Sequence, residues 1–210
     1  MMEIRKCGNP QSDIVLIQPV DDHDLEGIEG EFAEIVGRCE KSFYLLAVRI
    51  KDWNNELSPW KAPAVFGNEG FGDGASKTLE ELLKLCVDKG KKYYIGGYSL
   101  AGLFALWATY QTDVFSGVAA ASPSVWFPGF DEYMKENKIS TDTVYLSLGD
   151  REEKARNPVM ATVGDKIRKA HMLLNERGVN CMLEWNDGNH FKDADIRTAK
   201  AFAWVLNAGK

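Results

Sequence analysis

A serine between small residues, a histidine late in the chain and a group of acids between them are the residues here able to do nucleophilic chemistry together. The serine is Ser99, in Gly96-Gly97-Tyr98-Ser99-Leu100-Ala101-Gly102, and the histidine is His190, in Gly188-Asn189-His190-Phe191. Between them stands Gly149-Asp150-Arg151-Glu152-Glu153. A serine hydroxyl is a weak nucleophile until a base takes its proton, and imidazole, titrating near pH ~6.5, can take and return one. A carboxylate on the far ring nitrogen then fixes the tautomer and stabilises the imidazolium. Of the three histidines, His171 falls in the middle of a helical pattern and reads as structural, and His23 reads as part of a surface turn. Among Asp150, Glu152 and Glu153 the pattern alone does not choose the acid.

The surroundings of Ser99 make the sharper signal. Lys92-Tyr93-Tyr94-Ile95 is an apolar, aromatic run that stops at two glycines, and residues 103–111 have strong helix character. Strand, abrupt turn and helix, with a hydroxyl at the apex, is the nucleophile elbow, in which the serine stands clear of the sheet on a strained turn. The strand and helix nearly touch there, so residues two positions either side must be tiny. Gly97 and Ala101 meet that need, although the elbow consensus has glycine where Ala101 stands. The plainer alternative makes Ser99 only a helix N-cap. An oxyanion formed at Ser99 needs backbone donors. The N–H of Leu100 is one, and a second comes from the loop after the first strand, at Val20 or Asp21.

These groups need elements to position them. Strand patterns run over residues 13–20, 43–50, 93–97, 115–121, 143–148 and 180–185. Helical patterns cover 25–39, 103–111, 158–177 and 193–207, and the capping box Thr78-Leu79-Glu80-Glu81 opens another. Asn157 and Gly178 stand where an N-cap and a C-cap glycine belong. Strands alternating with helices predict a mostly parallel sheet of about six strands with helices on both faces, in a single domain over residues 1–210. Polar groups in such sheets collect at the carboxyl ends of the strands, where Asp21, Ser99, the acid turn and His190 all fall. Nucleophile, acid and histidine, in that chain order, is also the order of the α/β-hydrolase triad. The long segment 51–75 carries Trp53, Trp60, Phe66 and Phe71, apolar surface suited to a pocket wall, a lid or a dimer contact. Trp53, Tyr98, Trp126 and Phe127 are the candidate substrate-lining residues.

Composition sets the outer bounds. Hydrophobic residues make up 45% and charged residues 27% of 210, as in an ordinary globular chain. A formal charge of −6 without a basic stripe argues against nucleic acid as a partner. No apolar run approaches the ~20 residues that cross a bilayer, and Met1-Met2-Glu3-Ile4-Arg5-Lys6 lacks the apolar core of a signal peptide. Four scattered cysteines without C-x-x-C spacing read as free thiols rather than disulfides or metal ligands. The expected setting is the cytoplasm, with no membrane, metal or organic cofactor.

Four segments together resemble a known family. Gly97-Tyr98-Ser99-Leu100-Ala101-Gly102, Ala121-Ser122-Pro123-Ser124-Val125-Trp126, the Gly149-x-x-Glu152 turn and Gly188-Asn189-His190-Phe191 are similar to the esterase family of α/β-hydrolases that includes esterase D, the enterochelin and salmochelin siderophore esterases and the antigen 85 acyltransferases. The resemblance runs over most of the chain from Asp13 onward. It implies a minimal form of that fold, lacking the strands that relatives carry before Ile14. It also implies Ser99 as nucleophile, His190 as base and Glu152 as acid, acting on a small-molecule ester or thioester through an acyl-enzyme. A non-catalytic binding module on the same fold is the reading from another class.

Overall fold

The computed structural model describes residues 2–209. Among them, seven strands form one sheet: β1 (Ile4–Gly8), β2 (Ile14–Val20), β3 (Tyr44–Arg49), β4 (Lys92–Tyr98), β5 (Phe115–Ala121), β6 (Thr143–Gly149) and β7 (Asn180–Asn186), in the order β1-β3-β2-β4-β5-β6-β7. Neighbours from β3 to β7 pair in parallel, and β1 lies antiparallel on the outer edge of β3. The helices are α1 (Asp22–Val36), α2 (Trp53–Glu56), α3 (Ala75–Leu83), α4 (Leu100–Gln111), α5 (Phe130–Glu136), α6 (Val163–Glu176) and α7 (Ala194–Ala208).

The central strands are apolar on both faces because both are covered. Leu16, Leu45, Tyr94, Ala119 and Tyr145 pack under α1 and α7. Their neighbours Val15, Leu46, Ile95, Val118 and Val144 pack under α3, α4 and α6. Helix α4 has no polar stripe, and residues 100–109 are all buried, so it is the central support of its layer.

Four expectations are corrected. The sheet has seven strands rather than about six, and one of them precedes Ile14. β1 is short, and Arg5 and Lys6 at its centre are exposed, so it shows none of the apolar pattern by which a strand is read. Helix α1 starts three residues before Leu25, because the Asp21 carboxylate caps it by accepting the Asp24 N–H at 2.8 Å. Helix α3 starts at Ala75, and Thr78 lies buried inside it, so the capping box is not used. Ala75, Leu79 and Leu82 bury one continuous face, which draws the helix back by a turn. Asn157 does cap, accepting from the N–H groups of Val159 and Met160, but the turn it opens is a short 3-10 segment, Met160–Thr162, ahead of α6. The far end of α6 follows expectation. Gly178 has φ +79°, and the Gly178 and Val179 N–H groups close on the carbonyls of Asn175 and Leu174, the paired bonds of a Schellman motif.

Candidate active site

The turn from β4 into α4 holds Ser99 at φ 57° and ψ −120°, a conformation that a side chain with a Cβ adopts only under constraint. The constraint is visible. Its N–H donates to the Ala121 carbonyl at 3.1 Å, and its carbonyl accepts from Leu103 and Ser124, each at 3.0 Å. A Cβ on Gly97 would lie 2.7 Å from that of Ala101, and one on Gly102 would lie 2.9 Å from the Gly97 carbonyl. Gly97→Ala is therefore expected to lower stability by about 1–3 kcal/mol, read as a reduced denaturant midpoint with an unchanged slope. The buried methyl of Ala101 fills the space that Gly97 leaves by lacking a Cβ, which lets alanine serve where the consensus has glycine.

Ser99 stands at the N-cap of α4, yet its side chain makes no capping bond. It faces His190 instead, with Oγ 2.9 Å from Nε2, and His190 Nδ1 lies 2.6 Å from Glu152 Oε2. An ionised carboxylate can only accept, so Nδ1 carries the proton and the Nε2 lone pair is left to face the Ser99 hydroxyl. Ser124 Oγ lies 3.3 Å from Ser99 Oγ on the other side.

Glu152 is only 7% exposed, and both of its oxygens accept hydrogen bonds. Oε1 accepts from the Gly149 N–H at 2.7 Å, the Ser122 hydroxyl at 2.8 Å and Arg197 Nη1 at 3.1 Å. Burial raises its carboxyl, and the hydrogen bond and charge of His190, with the Gly149 and Ser122 donors, more than offset that and hold it below the usual carboxylate range. Its neighbours do other work. Asp150 Oδ1 accepts the Gly188 N–H at 2.8 Å, tying the acid turn to the histidine loop, and Glu153 pairs with Arg168 at the surface.

Arg197 was not among the expected residues. It is 1% exposed, the largest fully buried side chain described. Besides Glu152 it donates to the Tyr98 hydroxyl at 3.1 Å, to Ser122 Oγ at 3.3 Å and to the carbonyls of Asp187 and Asn189 at 3.1 and 3.0 Å. Tyr98 in turn donates to the His190 carbonyl at 2.7 Å. Burial pushes the Tyr98 phenol up to about 12, which keeps it a neutral donor. The signal for Arg197 was present but faint: it lies four and eight positions before the buried Ala201 and Val205, on a stripe otherwise made of small apolar residues.

Ser99 and His190 open onto a cavity of about 830 Å³, also lined by Asp21, Trp53 and Tyr98. Val20, the other oxyanion candidate, is fully buried in the β2–β3 ladder, and its carbonyl accepts the Ile50 N–H at 2.8 Å. Leu100 is the first residue of α4, where an N–H has no partner within the helix. Trp126 borders a smaller cavity of about 280 Å³ on the far side of His190. Phe127 touches neither cavity; it is fully buried between Trp60 and Phe71, at 5.8 and 5.1 Å, as part of the aromatic packing under the 51–75 segment. His171 is tied to Asn175 and the Cys181 carbonyl. No helix among the described residues is long and apolar enough to cross a membrane.

A mostly parallel sheet with helices on both faces, a β4–α4 elbow at its centre and polar residues gathered at the carboxyl ends of the strands constitute the α/β-hydrolase fold. Solved structures agree. The siderophore hydrolase EstA from Aspergillus nidulans superposes with a TM-score of 0.69 at 16% identity, over 100% of this chain and 95% of that one. An IroE-like serine hydrolase from Shewanella oneidensis gives 0.73 at 14%, over 98% and 76%. The enterobactin esterase FES from Shigella flexneri gives 0.67 at 14%, over 99% of this chain but only 56% of that protein. At these identities the likeness is one of fold. No protein-family model matches the chain, and no curated protein matches it.

Proposed function

We propose that this protein is a serine hydrolase of carboxylic esters, acting through an acyl-enzyme on Ser99. The observation that carries the reading is the unbroken chain of short hydrogen bonds from Ser99 through His190 to a buried, ionised Glu152, on a strained elbow at the wall of a cavity. His190 takes the Ser99 proton as Oγ attacks the ester carbonyl, and Glu152 holds the ring and stabilises the imidazolium. The Leu100 N–H, with the Asp21 backbone at the cavity, receives the developing oxyanion. His190 then returns its proton to the departing alcohol, and water repeats the sequence to release the acid. All the groups needed are side chains and backbone of one domain, so the reaction needs neither metal nor organic cofactor. Thioesters and acyl transfer to a second alcohol suit the same groups, and the working location is the cytoplasm. Trp53 and Tyr98 line the substrate side.

Labelling with a fluorophosphonate, mapped by peptide mass, tests the reading: the adduct should fall on Ser99 and require His190. The acid is tested by comparison. Glu152→Gln is expected to lower kcat by about 10³–10⁴-fold. Asp150→Ala should act more weakly, through the loop it ties, and Glu153→Ala should stay near wild type because a surface pair contributes little. A larger loss from Asp150→Ala than from Glu152→Gln would overturn the assignment of the acid.

A further inference from the structure

Six carboxylates line the cavity at Ser99: Asp21, Asp24, Glu26 and Glu31 from α1 and its cap, and Asp193 and Asp195 where α7 begins. No lysine or arginine lines it. The ion pairs nearby use other acids, Asp22 with Arg49 and Asp187 with Lys192, and none of the six lining acids has an ion-pair partner among the described residues.

Helix starts attract carboxylates on their own account, which explains Asp21, Asp24 and Asp195. It does not explain Glu31. That residue lies in the third turn of α1, is 4% exposed and borders the cavity. Its Oε2 accepts from Gln18 Nε2 at 3.2 Å, while its Oε1 and the buried Gln18 Oε1 have no partner at all. Burial above all, with Asp24 and Asp195 adding to it and the Gln18 amide opposing, pushes the Glu31 carboxyl well above its ordinary value. Burial, then Asp21, push Asp24 up to about 6, with His23 opposing and Asp195 adding least. The wall carries carboxylates with no lysine or arginine to face them, and the buried Glu31 and Gln18 oxygens lack donors.

We propose that the Ser99 cavity selects esters bearing a protonated amine, whose N–H groups meet the Glu31 carboxylate while Asp24 and Asp195 add negative charge along the same wall. This rests on the reading of the cavity as an ester site and names the substrate class for it. A primary ammonium supplies both charge and donors, which a quaternary one does not. A metal ion fits less well: among the described residues no three His, Cys, Asp or Glu side chains converge closely enough to hold one, so the acids are spread along the wall.

Matched esters test it. On the acyl side, the p-nitrophenyl esters of ε-aminohexanoate, heptanoate and pimelate have chains of similar length ending in ammonium, methyl and carboxylate. On the alcohol side, aminobutyl hexanoate is set against pentyl hexanoate. In one of the two arms kcat/KM for the ammonium ester should exceed that of its neutral match by about tenfold or more, the effect of one favourable charge contact, and the pimelate ester should be slowest. Glu31→Gln and Asp24→Asn should each bring the ratio towards one. A ratio is insensitive to the fraction of protein that folds, so a fragile variant remains informative. A ratio of one in both arms, or one unmoved by both variants, overturns the proposal. Calorimetry on Ser99→Ala protein with both matched pairs, methyl ε-aminohexanoate against methyl heptanoate and aminobutyl hexanoate against pentyl hexanoate, separates this from the enzymatic reading. Tighter binding of the ammonium ligand with no ester turned over by wild type would refute the esterase and keep the cation site. Equal affinities in both pairs would refute the cation site alone.

Discussion

Ser99→Ala is expected to lower ester turnover by about 10⁴–10⁶-fold, the range seen when the nucleophile of such a relay is removed. The fold should survive the change. Ser99 Oγ caps nothing, and the turn is held by backbone bonds to Ala121, Leu103 and Ser124 that alanine keeps. Circular dichroism and the unfolding midpoint should therefore match wild type while turnover of a p-nitrophenyl ester vanishes. His190→Ala should lose a similar amount, together with fluorophosphonate labelling at Ser99, because the hydroxyl then has no base at 2.9 Å. If Ser99→Ala retained wild-type turnover, the elbow would be only a structural turn, and the binding-module reading would replace the enzymatic one.

Arg197→Met is expected to be the most damaging change away from the reacting atoms. The guanidinium is buried against Glu152, Tyr98, Ser122 and two carbonyls of the histidine loop. Replacing it with an apolar chain leaves a buried carboxylate without its cation and the Asp187 carbonyl without its donor, and it removes one of the two donors to the Asn189 carbonyl. Breaking a buried pair in this way costs about 3–5 kcal/mol, to be read by denaturant unfolding. The fraction that still folds should hydrolyse esters poorly, because the His190 loop loses its anchor. Arg197→Lys keeps the charge but not the planar fork, so it should recover more stability than rate. A Met variant within about 1 kcal/mol of wild type, below the range for a broken buried pair, would show that the cluster does not depend on the guanidinium. The pH dependence has a defined sign. Glu152 titrates lower in the folded protein than in the unfolded chain. Its contribution is therefore present above the ordinary carboxylate range and lost as pH falls through its folded value.

What could be read from the sequence follows from how local each signal is. The elbow was legible because two glycines, a serine and an alanine meet its steric need within the six residues from Gly96 to Ala101. The strands from β2 to β6 were legible because burial on both faces leaves a nearly continuous apolar run, whereas β7 is half exposed and showed only a mixed one. β1 was not, since an edge strand exposing Arg5 and Lys6 has no such run. The choice among Asp150, Glu152 and Glu153 depends on which side chain meets a loop 38 residues away, which no local pattern encodes. Arg197 was missed for the same reason: all of its partners come from other elements. The substrate-lining expectation was uneven. Trp53 and Tyr98 lie at the Ser99 cavity, whereas Phe127 packs in the interior, because large aromatics in an irregular segment serve either role.

The placement of Arg197 also has a consequence in time. Every group it binds, Tyr98, Ser122, Glu152, Asp187 and Asn189, is earlier in the chain. On the proposed function, a nascent chain therefore carries its nucleophile, acid and base before it has the side chain that holds them together, and α7 must emerge and dock before the centre can operate. An unfinished polypeptide with an exposed serine is thus expected to be inert, and reactivity should arrive in one late step with the packing of that helix. Stalled chains ending before Ala194 should accordingly take up no fluorophosphonate, while chains that have released α7 should label at Ser99.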